Sequence, residues 1–211
     1  EKVRALAEFG VKAAATPAEA VRGASRVHLV LKDDAVVNAV IAAARPALAA
    51  DAILIDHSTT LPAGAAERFA HLQAQGVKYL HCPVFMGPAA ARSAQGLMLV
   101  TGPKALFENV QADLARTTGR LEYLGERTDL AAVNKLLGNA MIIGTWAVLA
   151  DVLTLARACG VEGADAVKLL GFIDIDNDLA MYYFVFAIAC AGFWVIYRTI
   201  HSPFGQILKA I

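Results

Sequence analysis

Arg26-Val27-His28-Leu29-Val30-Leu31-Lys32-Asp33-Asp34 is the stretch that decides the fold. A short apolar run closed by a polar break has the content of a buried strand. The break Lys32-Asp33-Asp34 then starts a helix, Ala35 to Ala43. Beyond it Ala52-Ile53-Leu54-Ile55-Asp56 reads as a second apolar strand, and Ser58-Thr59-Thr60-Leu61-Pro62 as the cap of the next helix. That helix runs to about Gln75, Gly76 ends it, and Val77 to Leu80 returns as a strand. Strand, helix and strand in this order make βαβ units and a parallel sheet. The loops Lys32–Asp34 and His57–Thr60 then fall at the strand C-termini, the edge where such sheets hold ligands.

Working outward, Glu1 to Phe9 has helical spacing, with Val3, Leu6 and Phe9 on one face and Gly10 closing it. Val11 to Ala14 reads as a short strand. Thr16-Pro17-Ala18-Glu19 carries a helix-start signature. Met98 to Thr101 and Leu121 to Leu124 are two further strands. Leu130 to Ala158 then reads as one long helix in which only Lys135, Asp151 and Arg157 are charged. A helix apolar on most sides is buried, here against a second subunit or domain. Gly160 ends it, and Ala164 to Leu170 begins another helix.

Charge and composition exclude several classes. Lys plus Arg and Asp plus Glu both number 19, and no basic stripe carries interleaved aromatics, so no nucleic acid partner is expected. Cys82, Cys159 and Cys190 lack CxxC or Cys/His spacing, and read as small buried hydrophobes in a reducing compartment. His57 and His81 have no third ligand at metal spacing, so no metal site is expected. Asp33 and Asp34 read as solvated helix-cap acids. Asp174, Asp176 and Asp178 alternate like the start of a calcium loop but lack its Gly and Glu. Glu1-Lys2-Val3-Arg4 looks like the inside of a helix, so no signal peptide is expected in this stretch.

The last forty residues differ from the rest. Tyr182 to Ile200, YYFVFAIACAGFWVIYRTI, holds no acid and no charge before Arg198. Its length matches the roughly 20 residues that cross a bilayer. Tyr182, Tyr183, Trp194 and Tyr197 lie near its ends as an interfacial belt, and Arg198, His201 and Lys209 place the following segment in the cytoplasm.

Three segments carry a resemblance. They are Leu54-Ile55-Asp56-His57-Ser58-Thr59-Thr60, His81-Cys82-Pro83-Val84-Phe85-Met86-Gly87-Pro88 and Asn134-Lys135-Leu136-Leu137-Gly138-Asn139. In order and spacing, residues 1–171 resemble the β-hydroxyacid dehydrogenases, relatives of 3-hydroxyisobutyrate and 6-phosphogluconate dehydrogenase. The resemblance implies NAD or NADP as cofactor and a small hydroxy acid as substrate. It implies Lys135 as catalytic acid/base, Asn139 and Gly87 on the substrate, and Thr59 against the nicotinamide end, with Leu31 and Lys32 lining the dinucleotide. The family's second segment usually reads P-V-S-G-G. Here Pro83 and Val84 match, but of the Ser and Gly that the family sets against the substrate carboxylate only Gly87 is kept, while Phe85 and Met86 read equally as an apolar substrate wall or as core.

From the residues alone, Lys135 in an apolar helix reads either as a snorkelling surface lysine or as a partly desolvated proton carrier. Asn139, one turn on, shares its helix face; the family order favours the second reading. Residues 173–211, with Ser202-Pro203-Phe204-Gly205 after an apolar span, resemble the permease subunit of branched-chain amino acid ABC transporters.

The fold expected is therefore α/β. A truncated Rossmann-like parallel sheet, residues 1–126, lacks the first β-α-β unit and the glycine-rich turn. An all-α substrate and dimerisation segment starts over 127–171, followed by a permease-like tail at 172–211 with a single transmembrane helix. On this reading the chain as given is inactive. Residues 1–171 are expected in the cytoplasm, the tail in the inner membrane, and a homodimer forms through the 130–158 helix.

Overall fold

The structure, a computed structural model, describes residues 10–163 and 178–201. It divides into two compact units, Glu1–Asn139 and Ala140–Ile211. The expected helices at 1–9 and 164–170, and Asp174 and Asp176, lie outside the described residues.

In the first unit Thr16 caps α1 (Pro17–Val21), its Oγ1 accepting from Glu19 N at 3.1 Å. The strands β1 (Arg26–Leu29), β2 (Ile53–Asp56) and β3 (Lys78–His81) lie side by side in that order, all parallel. Arg26 pairs with Ile53, and Ile53 with Lys78. Between them run α2 (Asp34–Ala44) and α3 (Pro62–Ala74). The expected βαβ pattern is present, with β1 two residues and β2 one residue shorter than the apolar runs and β3 shifted by one. Val30 and Leu31 leave β1 and join the ligand-edge loop. Val11–Ala14 forms no strand; Val11 is exposed and the segment has no pairing among the described residues.

β1 alternates, with Val27 and Leu29 inside and Arg26 and His28 outside, whereas all four residues of β2 are buried. That difference is the one between an edge strand and a central strand covered on both faces. On one face Val27, Leu29, Leu54 and Tyr79 pack with Val37, Ile41 and Leu72 of the helices. On the other, Ile53, Ile55 and Leu80 pack with Phe107, Val110 and Leu114 of α5 (Lys104–Ala115). Each fully buried Leu or Ile contributes about 1.5–3 kcal/mol, so the three-layer core outweighs the polar groups it encloses.

Beyond β3 the direction changes. β4 (Val84–Phe85) pairs antiparallel with β5 (Leu97–Val100), and β5 pairs parallel with β6 (Arg120–Tyr123). An antiparallel bridge between His81 and Thr101 joins this second sheet to β3. Parallel neighbours need a crossover of a dozen or more residues, usually helical. Here the link turns back through the five-residue α4 (Pro88–Arg92), so β5 returns reversed.

α6 (Leu130–Ala158) has the bounds expected from the sequence. Its first turns belong to the first unit, where Ala131, Ala132 and Lys135 are buried. In the second unit it exposes Ile143, Trp146, Leu149 and Leu155, and α7 (Asp178–Ile200) forms the tail helix. Among the described residues α6 alone is long and apolar enough to cross a membrane, by length and composition. For the tail, the described apolar run within α7 is Val185–Trp194.

Candidate active site

The loops after β1 and β2 are tied to each other. Leu31 N donates to Ser58 Oγ at 2.9 Å, and Ser58 N donates to Asp56 Oδ1 at 2.9 Å. The side chain of Ser58 therefore does not cap α3. The N-cap is Leu61, whose backbone N donates to Asp34 Oδ2 at 2.9 Å. Among the described residues no side chain caps α3; Asp34, at the start of α2, holds the N-cap residue by its backbone N–H instead.

Asp34 is also no solvated cap acid. Asp33 caps α2 by accepting from Val36 N, whereas Asp34 Oδ1 accepts from Arg68 Nη2 at 2.5 Å. The Arg68 guanidinium is buried, and also donates to Asn38 Oδ1 at 2.8 Å. Behind it Tyr79 OH donates to Asp56 Oδ2 at 2.8 Å, and Arg68 Nη1 stands 3.6 Å from the same oxygen. A buried carboxylate and a buried guanidinium are tolerable only when paired and hydrogen-bonded. Both are, and burial together with Asp56 pushes the Tyr79 hydroxyl well above the ordinary tyrosine range. Gly64 makes room for this clamp, because a Cβ there would lie 2.6 Å from Asp34 Cγ.

Two histidines brace the same loop. His81 is fully buried, with Nε2 3.1 Å from Ser58 O and 3.4 Å from Thr60 Oγ1. Among the described residues its buried Nδ1 has no partner. Burial holds its pKa below 6.5, so the ring is neutral and Nε2–H donates. His57 Nδ1 lies 2.9 Å from Cys82 O and its Nε2 lies 2.9 Å from His28 Nδ1. With His57 Nδ1–H donating to the carbonyl, Nε2 accepts from His28. Burial foremost lowers both of their pKa values, and for His28 the neighbouring His57 adds to it. Cys82 is buried and its thiol is pushed well up by burial.

Between these locked residues stand exposed ones. Thr59 and Lys32 are exposed, Leu31 is half-buried, and Val30 is 75% exposed at the strand's C-terminal edge. These are the side chains that this edge leaves open to a ligand. Leu31, Lys32 and Thr59 are thus brought to one edge by the Leu31–Ser58 bond.

Lys135 and Asn139 lie one turn apart on α6, on one helix face. Lys135 is 8% exposed, and burial alone pulls its pKa below the ordinary lysine value. Among the described residues it has no ion-pair partner. Its Nζ sits 3.8 Å from the centroid of the Phe85 ring. Gly87 is exposed and is the N-cap of α4, two residues past Phe85.

Residues 1–125 match the family model of the NAD binding domain of 6-phosphogluconate dehydrogenase. The chain belongs to this family. The cofactor expected from the sequence, NAD or NADP, is that of the family. An NADH-dependent oxidoreductase of Aspergillus ustus is 28% identical over 144 residues, 68% of this chain and 48% of the relative. An imine reductase of Streptomyces aurantiacus is 26% identical in its solved structure, with a TM-score of 0.77 over 90% of this chain and 65% of that one. The 3-hydroxyisobutyrate dehydrogenase of Mycobacterium tuberculosis shares the fold at 22% identity, TM-score 0.73, over 84% of this chain and 60% of that one. The chain spans about half the length of the curated relatives it matches.

The sequence singled out Lys135, Asn139, Gly87, Thr59, Leu31 and Lys32. It missed Arg68, Asp34 as a clamp, His81 as a loop brace, and Phe85 beneath the lysine. Those contacts join positions far apart in the chain, and periodicity carries no signal for them.

Proposed function

We propose that the protein is an NAD(P)-dependent oxidoreductase of the β-hydroxyacid dehydrogenase type, acting on a small hydroxy acid. The observation that carries the reading is Lys135. It is a nearly buried amine without an ion-pair partner among the described residues, its pKa lowered by burial, one helical turn from an amide. Nicotinamide, when bound, takes up or delivers the hydride. Lys135 Nζ then receives the proton of the substrate hydroxyl, or returns it to the carbonyl oxygen in reverse. Asn139 orients the substrate from the same helix face, and Gly87, lacking a side chain, lets the loop backbone approach it. Thr59, Leu31 and Lys32 line the cofactor, held by the Ser58 and Asp34 contacts. The dinucleotide-binding part extends to residue 126, and the helical substrate part begins over 127–171.

Lys135→Met is expected to lower kcat for hydride transfer by about 10²–10⁴-fold with little change in NAD(P)H affinity. The measurement uses the full-length protein, nicotinamide absorbance and a panel of small hydroxy acids. A variant within threefold of the parent on its best substrate refutes the role.

The exposed apolar stretch of α6, with Ile143 and Trp146, serves a homodimer. For the tail, the second reading is a membrane segment over 182–200, of the branched-chain amino acid permease type, joined near residue 172. It is favoured by the helix Asp178–Ile200, on which Tyr182, Tyr183, Phe193, Trp194 and Tyr197 are exposed. Resistance of the full-length protein to alkaline extraction from membranes tests it, and complete release counts against it.

A further inference from the structure

Phe85 is held from two sides by glycines. At Gly96, in the left-handed region at φ +99°, a Cβ would meet Phe85 O and Met86 Cβ at 2.7 Å. At Gly138, on α6, a Cβ would stand 2.7 Å from Phe85 Cε1. One glycine seats the backbone of Phe85 and the other seats its ring. The ring lies against α6 between Gly138 and Lys135, and the lysine Nζ stands over its face.

Such a wedge does more than fill space. The face of an aromatic ring is electronegative and attracts a cation placed over it. Among the described residues no carboxylate pairs with Lys135, and no charged side chain contributes to its shift. Burial favours the neutral amine, and the ring opposes burial by favouring the ammonium. A leucine of similar size would seat the alkyl stem equally well, but would supply no such field.

We propose that Phe85 is the positioning residue for Lys135: its ring fixes where the ammonium stands and sets how readily it releases its proton. The proposal rests on the reading of Lys135 as acid/base. It gives Gly138 a reason in function, because any larger residue there drives the ring from beneath the lysine. Phe85 itself exchanges no proton.

The test reads Lys135 directly and needs no substrate. The full-length protein is labelled with trace acetic anhydride across a pH series, and each lysine is followed by peptide mass spectrometry. In Phe85→Leu the apparent pKa of Lys135 is expected to fall by about half to one pH unit, the size of a ring–cation contact. Lys78 and Lys104 serve as internal references for the folded state. Phe85→Tyr keeps the ring and should keep the parent value, while Gly138→Ala displaces the ring and should shift Lys135 downward without touching residue 85. An unchanged or raised Lys135 value in Phe85→Leu, with the references unmoved, overturns the proposal. Should Phe85→Leu fail to fold, Gly138→Ala against Phe85→Tyr decides by the same criterion. Hydride transfer that survives Lys135→Met would instead overturn the assignment of Lys135, so the two failures appear in different measurements.

Discussion

Replacing Gly64 by alanine should destabilise the dinucleotide-binding unit, and removing Asp34 first should reverse the sign. Gly64 lies in the first turn of α3, and an added Cβ would stand 2.6 Å from Asp34 Cγ. The carboxylate must move, and with it go its bonds to Leu61 N at 2.9 Å and Arg68 Nη2 at 2.5 Å. A hydrogen bond to a charged group is worth about 1.5–3 kcal/mol, and breaking a buried pair costs about 3–5 kcal/mol. Arg68 keeps Asn38 and the Asp56 carboxylate at 3.6 Å, and Asp34 is a quarter exposed, so the lower range applies. We expect about 3 kcal/mol for Gly64→Ala and a similar loss for Asp34→Ala. At an m-value of about 1–3 kcal/mol per molar, this moves the urea midpoint down by about 1–3 M. In an Asp34→Ala background the steric reason is gone. Gly64→Ala should then be neutral or stabilise by about 0.5–1 kcal/mol through helix propensity. Urea unfolding of the four proteins, followed by far-ultraviolet circular dichroism, closes the cycle. Additive losses, or a Gly64→Ala effect under about 0.5 kcal/mol, refute the clamp.

Two further outcomes are expected. Burial holds His28, His57 and His81 below the ordinary value of 6.5, so the unfolded chain binds more protons than the native one once pH drops below that value. Their contribution is complete above about pH 6.5 and is lost as pH falls toward the depressed native values. Urea midpoints should therefore fall between about pH 7 and about pH 5, less steeply in His57→Gln, and a midpoint rising toward acid contradicts this. Trp146→Arg, at an exposed apolar position of α6, should convert the proposed dimer to monomer in light scattering, and an unchanged mass sinks that assignment.

The alternation of strands and helices was legible because it is written in local periodicity. The run Arg26–Leu31 and the run Ala52–Asp56 gave β1 and β2 within two residues, and Leu130–Ala158 gave α6 with its bounds. Val11–Ala14 misled, since an apolar residue beside a glycine turn looks like a strand whether or not a partner strand exists. Ser58 misled for a different reason. It sits at cap spacing before Pro62, but the Asp34 carboxylate reaches Leu61 N across 27 positions of sequence. Lys135 and Asn139 were readable as a pair from helical spacing. The ring beneath the lysine was not, because Phe85 and Lys135 meet only when β4 and α6 do. The reversal of β5 was also unreadable from apolar content, which is the same for either strand direction.

The edge formed by the loops after β1 and β2, proposed above to line the cofactor, alternates between residues that hold the fold and residues that face outward. Ser58 and Thr60 are buried with Thr59 exposed between them; Asp34 is clamped while Lys32 and Val30 point to solvent. A division of labour at single-residue spacing separates two kinds of selection. On the proposed reading of this edge, exchange at Thr59, Lys32 or Val30 would alter what it recognises and leave the Asp34–Arg68–Asp56 scaffold untouched. A lineage built on this edge can change ligand preference by single steps without first acquiring a reserve of stability.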